Sequence, residues 1–269
     1  MDEFVEAARA MDRPEILERL FFPRRELPEE ARAGIGVAWM VKVAENVAIG
    51  CRFYKAAKDG PSVLYFHGNG EIAADYDYVA PLYSQRGINL FVADYRGYGS
   101  SDGSPGCAAL IADSHPLFEG FRSFLRDQGY QGDLLVMGRS LGSAPAIEVA
   151  YFYQDELKGL IVESGFAYQE HQLARIGATH LFEDPGKVIG FGNHIKIKEI
   201  RIPTLIIHGE EDSIIPVDEG RALLALSGAL EKRSLFVAGA GHNDLFERAL
   251  DRYMGAVASF TGARGATSC

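Results

Sequence analysis

Six short apolar runs, separated by segments of helical character, constrain most strongly how this chain can fold. These runs predict buried strands at residues 63–66, 90–93, 134–137, 160–162, 204–207 and 235–237. Strands that alternate with helices are typical of a mostly parallel sheet covered by crossover helices. Two further runs, near 37–43 and 47–54, predict an antiparallel start. The expected fold class is therefore α/β, with about eight strands and helices on both faces of the sheet.

Three segments between the strands, 141–153, 218–230 and 244–260, have apolar residues at helical spacing. Pro116 interrupts a fourth segment, so a helix is expected to begin near that proline, where the missing N–H costs little. The first 30 or so residues predict two short helices packed on the body. An amphipathic membrane anchor is the alternative, although its polar positions carry both signs.

The predicted organisation is a helical extension, one main domain and a short tail. We expect the extension over residues 1–35, the domain over 36–262 and a flexible tail over 263–269. The length and the 47% hydrophobic content suit a single α/β domain with a sizeable core.

The formal net charge of −10 argues against nucleic acid or an anionic membrane surface as the main partner, because both require a basic footprint. The acidic start is unlike a signal peptide, and no apolar run approaches the roughly 18–20 residues that span a bilayer. Cys51, Cys107 and Cys269 are odd in number and far apart, so we expect reduced thiols and a cytoplasmic protein without integral membrane association.

A G-x-S-x-G motif, from Gly138 to Gly142, stands directly after a predicted buried strand and before a predicted helix. This context is typical of a nucleophile elbow, with Ser140 as the nucleophile. A serine in such a strained turn has other backbone segments close by, so Gly138 and Gly142 are expected to be glycine because a Cβ would collide there.

A serine hydroxyl needs a base to take its proton and an acid to orient that base. Asp212 and His242 follow the strands at 204–207 and 235–237, at the sheet edge where ligands bind in α/β proteins. The order serine, acid, histidine also fits the fold that carries the elbow. Asp212 is the preferred acid, with Glu210, Glu211 and Glu163 as alternatives.

Two polar residues near these strands are interpreted as structural. Asp244 opens a helix, where its carboxylate favours the N-terminus. His208 ends a strand, and a structural or supporting role is preferred to catalysis.

An acyl-transfer site also requires two N–H donors for the oxyanion of the tetrahedral intermediate. One expected donor is the backbone of Leu141, and the other is the backbone of Asn69 in the turn His67-Gly68-Asn69-Gly70. His67 is interpreted as structural, while Gly68 and Gly70 shape the loop.

No His/Cys/Asp cluster has metal spacing, and the glycines at 97, 99 and 103 miss the dinucleotide-binding pattern, so no metal and no cofactor are expected.

Five motifs together resemble a known group: HGNG at 67–70, DYRGYGSS at 94–101, GRSLGS at 138–143, HGEED at 208–212 and GAGHNDL at 239–245. They are similar to the α/β-hydrolases related to the abhydrolase-domain acyl-protein thioesterases (depalmitoylases) and to serine-aminopeptidase-like hydrolases, over about residues 60–260. The resemblance implies the α/β-hydrolase fold and a triad of Ser140, Asp212 and His242. Substrates vary within this group, so the substrate does not transfer with the fold.

The interval of about 40 residues between the strands at 160–162 and 204–207 implies a minimal lid. We therefore expect an open, partly apolar cleft. The side chains expected to line an acyl site are Phe166, Tyr168, Leu173, Ile176, Leu181 and Phe182.

The expected activity is cleavage of carboxylic esters or thioesters through an acyl-Ser140 intermediate. An aminopeptidase of the same fold is the nearest alternative, and a non-catalytic α/β-hydrolase that binds an apolar ligand or a protein is the alternative from another class. A dehalogenase or epoxide hydrolase would need a carboxylate in place of Ser140. The expected partner is a small-molecule or acyl substrate, and the oligomeric state is left open.

Overall fold

The computed structural model describes residues 2–27 and 35–263. The strands are β1 (Val37–Ala44), β2 (Val47–Tyr54), β3 (Ser62–Phe66), β4 (Asn89–Ala93), β5 (Leu134–Arg139), β6 (Gly159–Glu163), β7 (Thr204–Gly209) and β8 (Lys232–Val237). The α-helices are α1 (Asp2–Arg9), α2 (Pro14–Leu20), α3 (Ala80–Ser84), α4 (Cys107–Ala112), α5 (Ser114–Asp127), α6 (Ser143–Phe152), α7 (Gln169–Arg175), α8 (Asn193–Glu199), α9 (Val217–Leu226) and α10 (Leu245–Thr261). The predicted strands and the α/β class are confirmed.

The strands form one sheet of eight, in the order β1-β2-β4-β3-β5-β6-β7-β8. β1 and β2 pair antiparallel, and β2 also pairs antiparallel with β4. All other neighbours are parallel. The sheet therefore has the antiparallel start and the parallel centre that the sequence predicts.

Side chains of the central strands alternate between two hydrophobic cores, one on each face of the sheet. In β3, Leu64 and Phe66 join the larger core, which includes side chains from α1, α2, α4, α5 and α6. Val63 and Tyr65 point the other way and pack with α3 and α10. Every residue of β3 is buried, so apolar and polar residues do not alternate along this strand as they would if one face met water.

A helix begins near Pro116, as the sequence predicts, but a second helix that was not predicted precedes it. Two helices occupy it: α4 begins at Cys107, and α5 begins at Ser114 with Pro116 as its third residue. Pro116 is tolerated because the first N–H groups of a helix have no acceptor within that helix. The Asp12 carboxylate accepts hydrogen bonds from the N–H groups of Cys107 and Ala108 and so fixes the start of α4.

Both N-terminal helices contact the sheet-bearing part of the chain. α1 packs against α4, and Met11, Ile16 and Leu20 are buried in the larger core. The predicted tail, 263–269, lies outside the described residues except for Ala263. Within the described ranges, no helix has the length and apolar character needed to cross a bilayer.

The carboxyl ends of the parallel strands lie side by side at one edge of the sheet. Phe66 of β3 pairs with Gly138 of β5, Glu163 of β6 pairs with Ile207 of β7, and Gly209 of β7 pairs with Val237 of β8. The loops that follow β3, β5, β7 and β8 therefore converge, although they are far apart in sequence.

Candidate active site

Ser140 lies in a tight turn between β5 and a single 3₁₀ turn that leads into α6. Its φ of 52° is in the left-handed region, which a residue with a side chain rarely adopts. A Cβ at Gly138 would lie 2.1 Å from the Gly142 carbonyl oxygen, and a Cβ at Gly142 would lie 2.1 Å from the Phe66 carbonyl oxygen. Both positions therefore need glycine, for the reason that the motif predicts.

The Ser140 hydroxyl is the first member of a hydrogen-bonded chain of three side chains. His242 Nε2 lies 3.0 Å from Ser140 Oγ, and His242 Nδ1 lies 2.7 Å from Asp212 Oδ2. All three residues are buried. Because Nδ1–H donates to the carboxylate, Nε2 is left to accept the hydroxyl proton.

The Asp212 carboxylate is held in its ionised form by its surroundings. Burial opposes ionisation, but hydrogen bonds from His208, His242 and the backbone N–H of Ile215 outweigh it, and the pKa lies well below its usual value. Oδ1 accepts the N–H groups of Ile214 at 2.9 Å and Ile215 at 2.8 Å. The loop after β7 thus orients the carboxylate before any substrate arrives.

The other acids considered from the sequence do not contact His242. Glu210 and Glu211 are exposed, and Glu210 lies 3.5 Å from Arg221. Glu163 is buried, but its Oε2 accepts the hydroxyl of Tyr253 at 2.7 Å. Asp244 is also engaged elsewhere: its Oδ1 accepts the N–H of Gly241 at 2.6 Å, and its Oδ2 pairs with Arg248.

His208 supports the acid rather than reaching the serine. Its Nε2 lies 2.8 Å from the Ile215 carbonyl oxygen and 3.4 Å from Asp212 Oδ2. The other ring nitrogen faces Gly220, where a Cβ would lie 2.5 Å from it. Among the described residues, no cluster of three or more His, Cys, Asp or Glu side chains has the arrangement of a metal site.

The two predicted oxyanion donors, Asn69 and Leu141, line the same cavity as Ser140. The Asn69 side chain is fully engaged: its Oδ1 accepts from Phe22 N–H and from the Tyr98 hydroxyl, and its Nδ2 donates to the Leu20 carbonyl. Within the described part of the chain, its backbone N–H has no acceptor. The Asn69 amide is therefore positioned by its side chain and available to a ligand.

Hydrogen bonds of His67 and the backbone conformation of Gly70 fix the rest of the HGNG turn. The fully buried His67 lies between Asp94, with Nε2 3.2 Å from Oδ1, and the Gly68 carbonyl, with Nδ1 at 2.8 Å. Burial favours the neutral ring, but hydrogen bonding to Asp94 outweighs it and raises the His67 pKa. Gly70 has a φ of +79°, so the turn uses the left-handed conformation that glycine allows.

Arg139, the second residue of the G-x-S-x-G motif, joins three loops of the site, and sequence reasoning missed it. Its Nη2 donates to the His242 carbonyl and to Asn243 Oδ1, each at 2.9 Å. Its Nη1 pairs with Glu71, whose Oε2 accepts the N–H of Gly68 at 3.0 Å. The available signal was a charged residue at the end of a buried strand, where burial requires a partner.

The cavity at Ser140 is itself small, about 30 Å³, so the serine does not lie directly in a wide cleft. Leu20 of α2 contributes to its lining from the N-terminal segment, and Phe166 and Phe191 contribute from the segment between β6 and β7. The lining is formed by Leu20, Asn69, Ser140, Leu141, Phe166, Gln172, Arg175, Phe191, Ile214 and Ile215.

A larger surface groove of about 580 Å³ adjoins this cavity and shares Gln172, Arg175 and Ile214 with it. Of the six side chains expected to line an acyl site, Phe166 lines the cavity and Tyr168 lines the groove. The other four, Leu173, Ile176, Leu181 and Phe182, pack in or against the larger core. Helical spacing could not separate core from lining positions here, because the same apolar side chains suit both.

Comparisons with known proteins agree with this fold. Residues 58–185 match the model of the serine aminopeptidase family S33. The α/β-hydrolase domain-containing protein 17B of Xenopus tropicalis is 31% identical over 77% of this chain and 69% of its own length. The protein bem46 of Schizosaccharomyces pombe is 30% identical over 68% of this chain. That match spans 62% of bem46, which is less than two thirds of its length.

Among solved structures, an esterase from Pyrococcus furiosus has a TM-score of 0.70 at 16% identity, covering 90% of this chain and 97% of the esterase. At 16% identity, this structural similarity is evidence for the fold alone. The sequence relatives, at 30% identity or more, are more specific than this structural likeness. The chain therefore belongs to the α/β-hydrolase family, to which the α/β-hydrolase domain-containing protein 17B also belongs.

Proposed function

We propose that this protein is a serine hydrolase that cleaves carboxylic esters or thioesters through an acyl-Ser140 intermediate. The observation that supports this most directly is the hydrogen-bonded chain from Ser140 Oγ through His242 to Asp212. A serine with a strained backbone, a hydrogen-bonded histidine and an ionised carboxylate behind it is the arrangement that activates a hydroxyl for attack.

In the proposed acylation step, His242 Nε2 takes the proton of Ser140 as Oγ bonds to the substrate carbonyl carbon. The carbonyl oxygen becomes an oxyanion, which the N–H groups of Leu141 and Asn69 stabilise. Losing one such donor costs a factor of about 10²–10³ in other enzymes. The tetrahedral intermediate then collapses, the bond to the alcohol or thiol breaks, and His242 returns its proton to that leaving group.

Deacylation repeats these steps with water in place of Ser140. His242 Nε2 removes a proton from water as its oxygen bonds to the acyl carbon. The intermediate then expels Ser140 Oγ, which recovers a proton from His242, and a carboxylic acid leaves. Asp212 stays ionised throughout and stabilises the imidazolium that forms twice in each cycle.

The lining of the cavity favours esters over aminopeptidase substrates. A free amino terminus is cationic, and its recognition calls for a carboxylate near the scissile bond. Arg175 is the charged residue in the described lining of the cavity at Ser140, and no carboxylate lines it. A cationic substrate end would therefore meet a like charge there.

The size of the cavity favours short acyl chains. Its volume of about 30 Å³ compares with the roughly 10–15 Å³ needed for one water molecule. A long chain would have to extend into the adjoining groove or displace the Leu20 and Phe166 side chains. We therefore expect acetyl and butyryl esters to be cleaved faster than dodecanoyl esters.

We also propose that the protein works in the cytoplasm. Cys51 and Cys107 are unpaired, buried thiols, which suits a reducing compartment. Fractionation of cells that express the tagged chain tests this location: recovery with cytosolic markers would support it, and recovery with secreted or membrane fractions would contradict it.

The test of the activity is a comparison of p-nitrophenyl acetate, butyrate, octanoate and dodecanoate with an aminoacyl p-nitroanilide. We expect ester turnover that Ser140→Ala lowers by about 10⁶-fold and that Ser104→Ala, at an exposed loop position, leaves unchanged. Faster cleavage of the anilide would favour an aminopeptidase. Saturable ligand binding by the folded protein without turnover of any acyl substrate would identify a binding protein.

A further inference from the structure

Arg175, the last residue of α7, lies where the cavity at Ser140 opens into the adjoining groove. It lines both spaces, together with Gln172 from the same helix and Ile214 from the loop that carries Asp212. A ligand that extends from Ser140 toward the groove must therefore pass the guanidinium.

The charge of Arg175 is poorly compensated. Partial burial of the guanidinium lowers its pKa, and no carboxylate counters that effect. Its one hydrogen bond runs from Nε to Gln172 Oε1 at 3.4 Å, and the two terminal nitrogens have no acceptor among the described residues. Arg175 is nevertheless exposed, and an arginine stays protonated there, so its terminal nitrogens are accessible to an incoming anion.

The charged groups on the neighbouring elements are already engaged. Asp218 of α9 pairs with Arg221 at 3.1 Å. Glu219 accepts the N–H groups of Ala167 at 2.6 Å and Tyr168 at 3.0 Å. Glu219 also pairs with His171, which in turn lies 3.7 Å from Glu170.

Two further cations approach from the N-terminal segment. Arg19 Nη1 donates to the Ile176 carbonyl at 3.1 Å, and Arg13 Nη1 donates to the Leu181 carbonyl at 2.6 Å. Both arginines are exposed, and these hydrogen bonds place them beside the segment that follows Arg175. Asp218 and Glu219 line the adjoining groove, whereas the cavity at Ser140 has Arg175 as its charged lining residue and no carboxylate.

We propose that Arg175 binds a carboxylate of the substrate, so that the preferred substrates are short esters or thioesters that carry a negative charge. This inference rests on the proposed function, and it narrows the substrate class of the same site. A planar guanidinium with two unused N–H₂ groups suits a carboxylate, which it can bind through two parallel hydrogen bonds.

The carboxylate could belong to the acyl group or to the leaving group, and two matched substrate pairs separate these sources. The first pair is phenyl hemisuccinate and the phenyl ester of succinamic acid, which differ in charge on the acyl side. The second pair is O-acetyl lactate and O-acetyl lactamide, which differ in charge on the leaving-group side. Hydrolysis of all four is followed by titration of the released acid.

We expect the charged member of one pair to have a kcat/KM about 10-fold to 100-fold above that of its neutral partner. Arg175→Gln should abolish that preference, so that the charged and neutral members of the pair then have kcat/KM values within about twofold of each other. Arg175→Lys should retain part of it, because the charge remains but the paired hydrogen bonds are lost. Arg126→Gln, which removes an exposed arginine of α5, should change neither value.

Equal rates within both pairs, or a preference that survives in Arg175→Gln, would overturn the inference. High salt provides a test that needs no variant. It should lower the ratio of kcat/KM between the charged and neutral substrates of the wild type and leave kcat/KM for the neutral substrates unchanged. Reaction of Ser140 with a fluorophosphonate distinguishes a failure of the proposed hydrolase function from a failure of the proposed role of Arg175. A labelled wild type without charge preference would refute the role of Arg175 alone, whereas a folded wild type that is not labelled would refute the proposed function.

Discussion

Arg139 Nη2 lies 2.9 Å from the carbonyl oxygen of His242, so the residue that precedes the proposed nucleophile also holds the loop of the proposed base. The same guanidinium pairs with Glu71, which accepts the N–H of Gly68 in the turn that carries Asn69. One partly buried side chain thus connects the segments that carry the serine, the histidine and an expected oxyanion donor.

Replacement of Arg139 by glutamine is expected to lower kcat for p-nitrophenyl butyrate by about 10-fold to 100-fold, because small displacements of reacting groups are costly. KM should change by less than about threefold, since Arg139 does not line the cavity at Ser140. The matched control is Arg122→Gln, which removes an arginine paired with Glu119 on α5. A fully active Arg139→Gln protein would show that the network does not position the site.

The ionised state of Asp212 should make stability depend on pH in a defined direction. Its pKa in the folded protein is below the ordinary value, so its contribution is fully present above about pH 4 and is lost as the pH falls toward the folded-state pKa. Urea unfolding at a series of pH values should therefore show a steeper acid loss in the wild type than in Asp212→Asn. Asp184→Asn, at an exposed ion pair, serves as the control, and identical slopes for all three proteins would contradict the assignment.

Two glycine-to-alanine substitutions should change the free energy of unfolding in opposite directions. Gly138→Ala places a Cβ against the Gly142 backbone, so we expect a loss of about 1–3 kcal/mol or more in the free energy of unfolding and loss of ester hydrolysis. Gly255→Ala lies in α10, where the added Cβ meets nothing within 4 Å, and it should gain about 0.5–1 kcal/mol. Thermal and urea unfolding measure both, and a well-folded, active Gly138→Ala would refute the tight turn.

The ion pair between Lys196 and Glu148 is fully buried, with 2.6 Å between Nζ and Oε2. Lys196→Met leaves Glu148 buried with His115 as its remaining side-chain partner, so the free energy of unfolding should fall by about 3–5 kcal/mol. Adding Glu148→Leu should recover part of that loss, because the uncompensated charge is then removed. Lys187→Met, at an exposed pair, should change stability by less than about 0.5 kcal/mol, and an equal effect at both lysines would contradict this account.

The strands were predictable because β3, β4 and β6 are buried along their whole length and therefore consist mainly of apolar residues. The convergence of the loops carrying Ser140, Asp212 and His242 was predictable because parallel strands end at one edge of the sheet. By contrast, the start of α4 depends on Asp12, which lies 95 residues before Cys107. No local pattern contains that contact.

The parts of the site that sequence reasoning missed also depend on distant contacts. Arg139 bonds to His242, 103 residues further along the chain, and Leu20 lines the cavity from a helix that precedes the sheet. Arg175 can be recognised as a candidate binding residue only from the structure, in which the neighbouring carboxylates of Asp218 and Glu219 have other partners. Spacing identifies the reactive side chains, but packing decides what surrounds them.

The central claim is that Ser140 is an activated nucleophile, and peptide mapping after reaction with a fluorophosphonate tests it most directly. The wild type should carry one adduct, on Ser140, while Ser140→Ala should carry none and Ser104→Ala should react like the wild type. An adduct on another serine, or no adduct on a protein shown to be folded, would contradict the account.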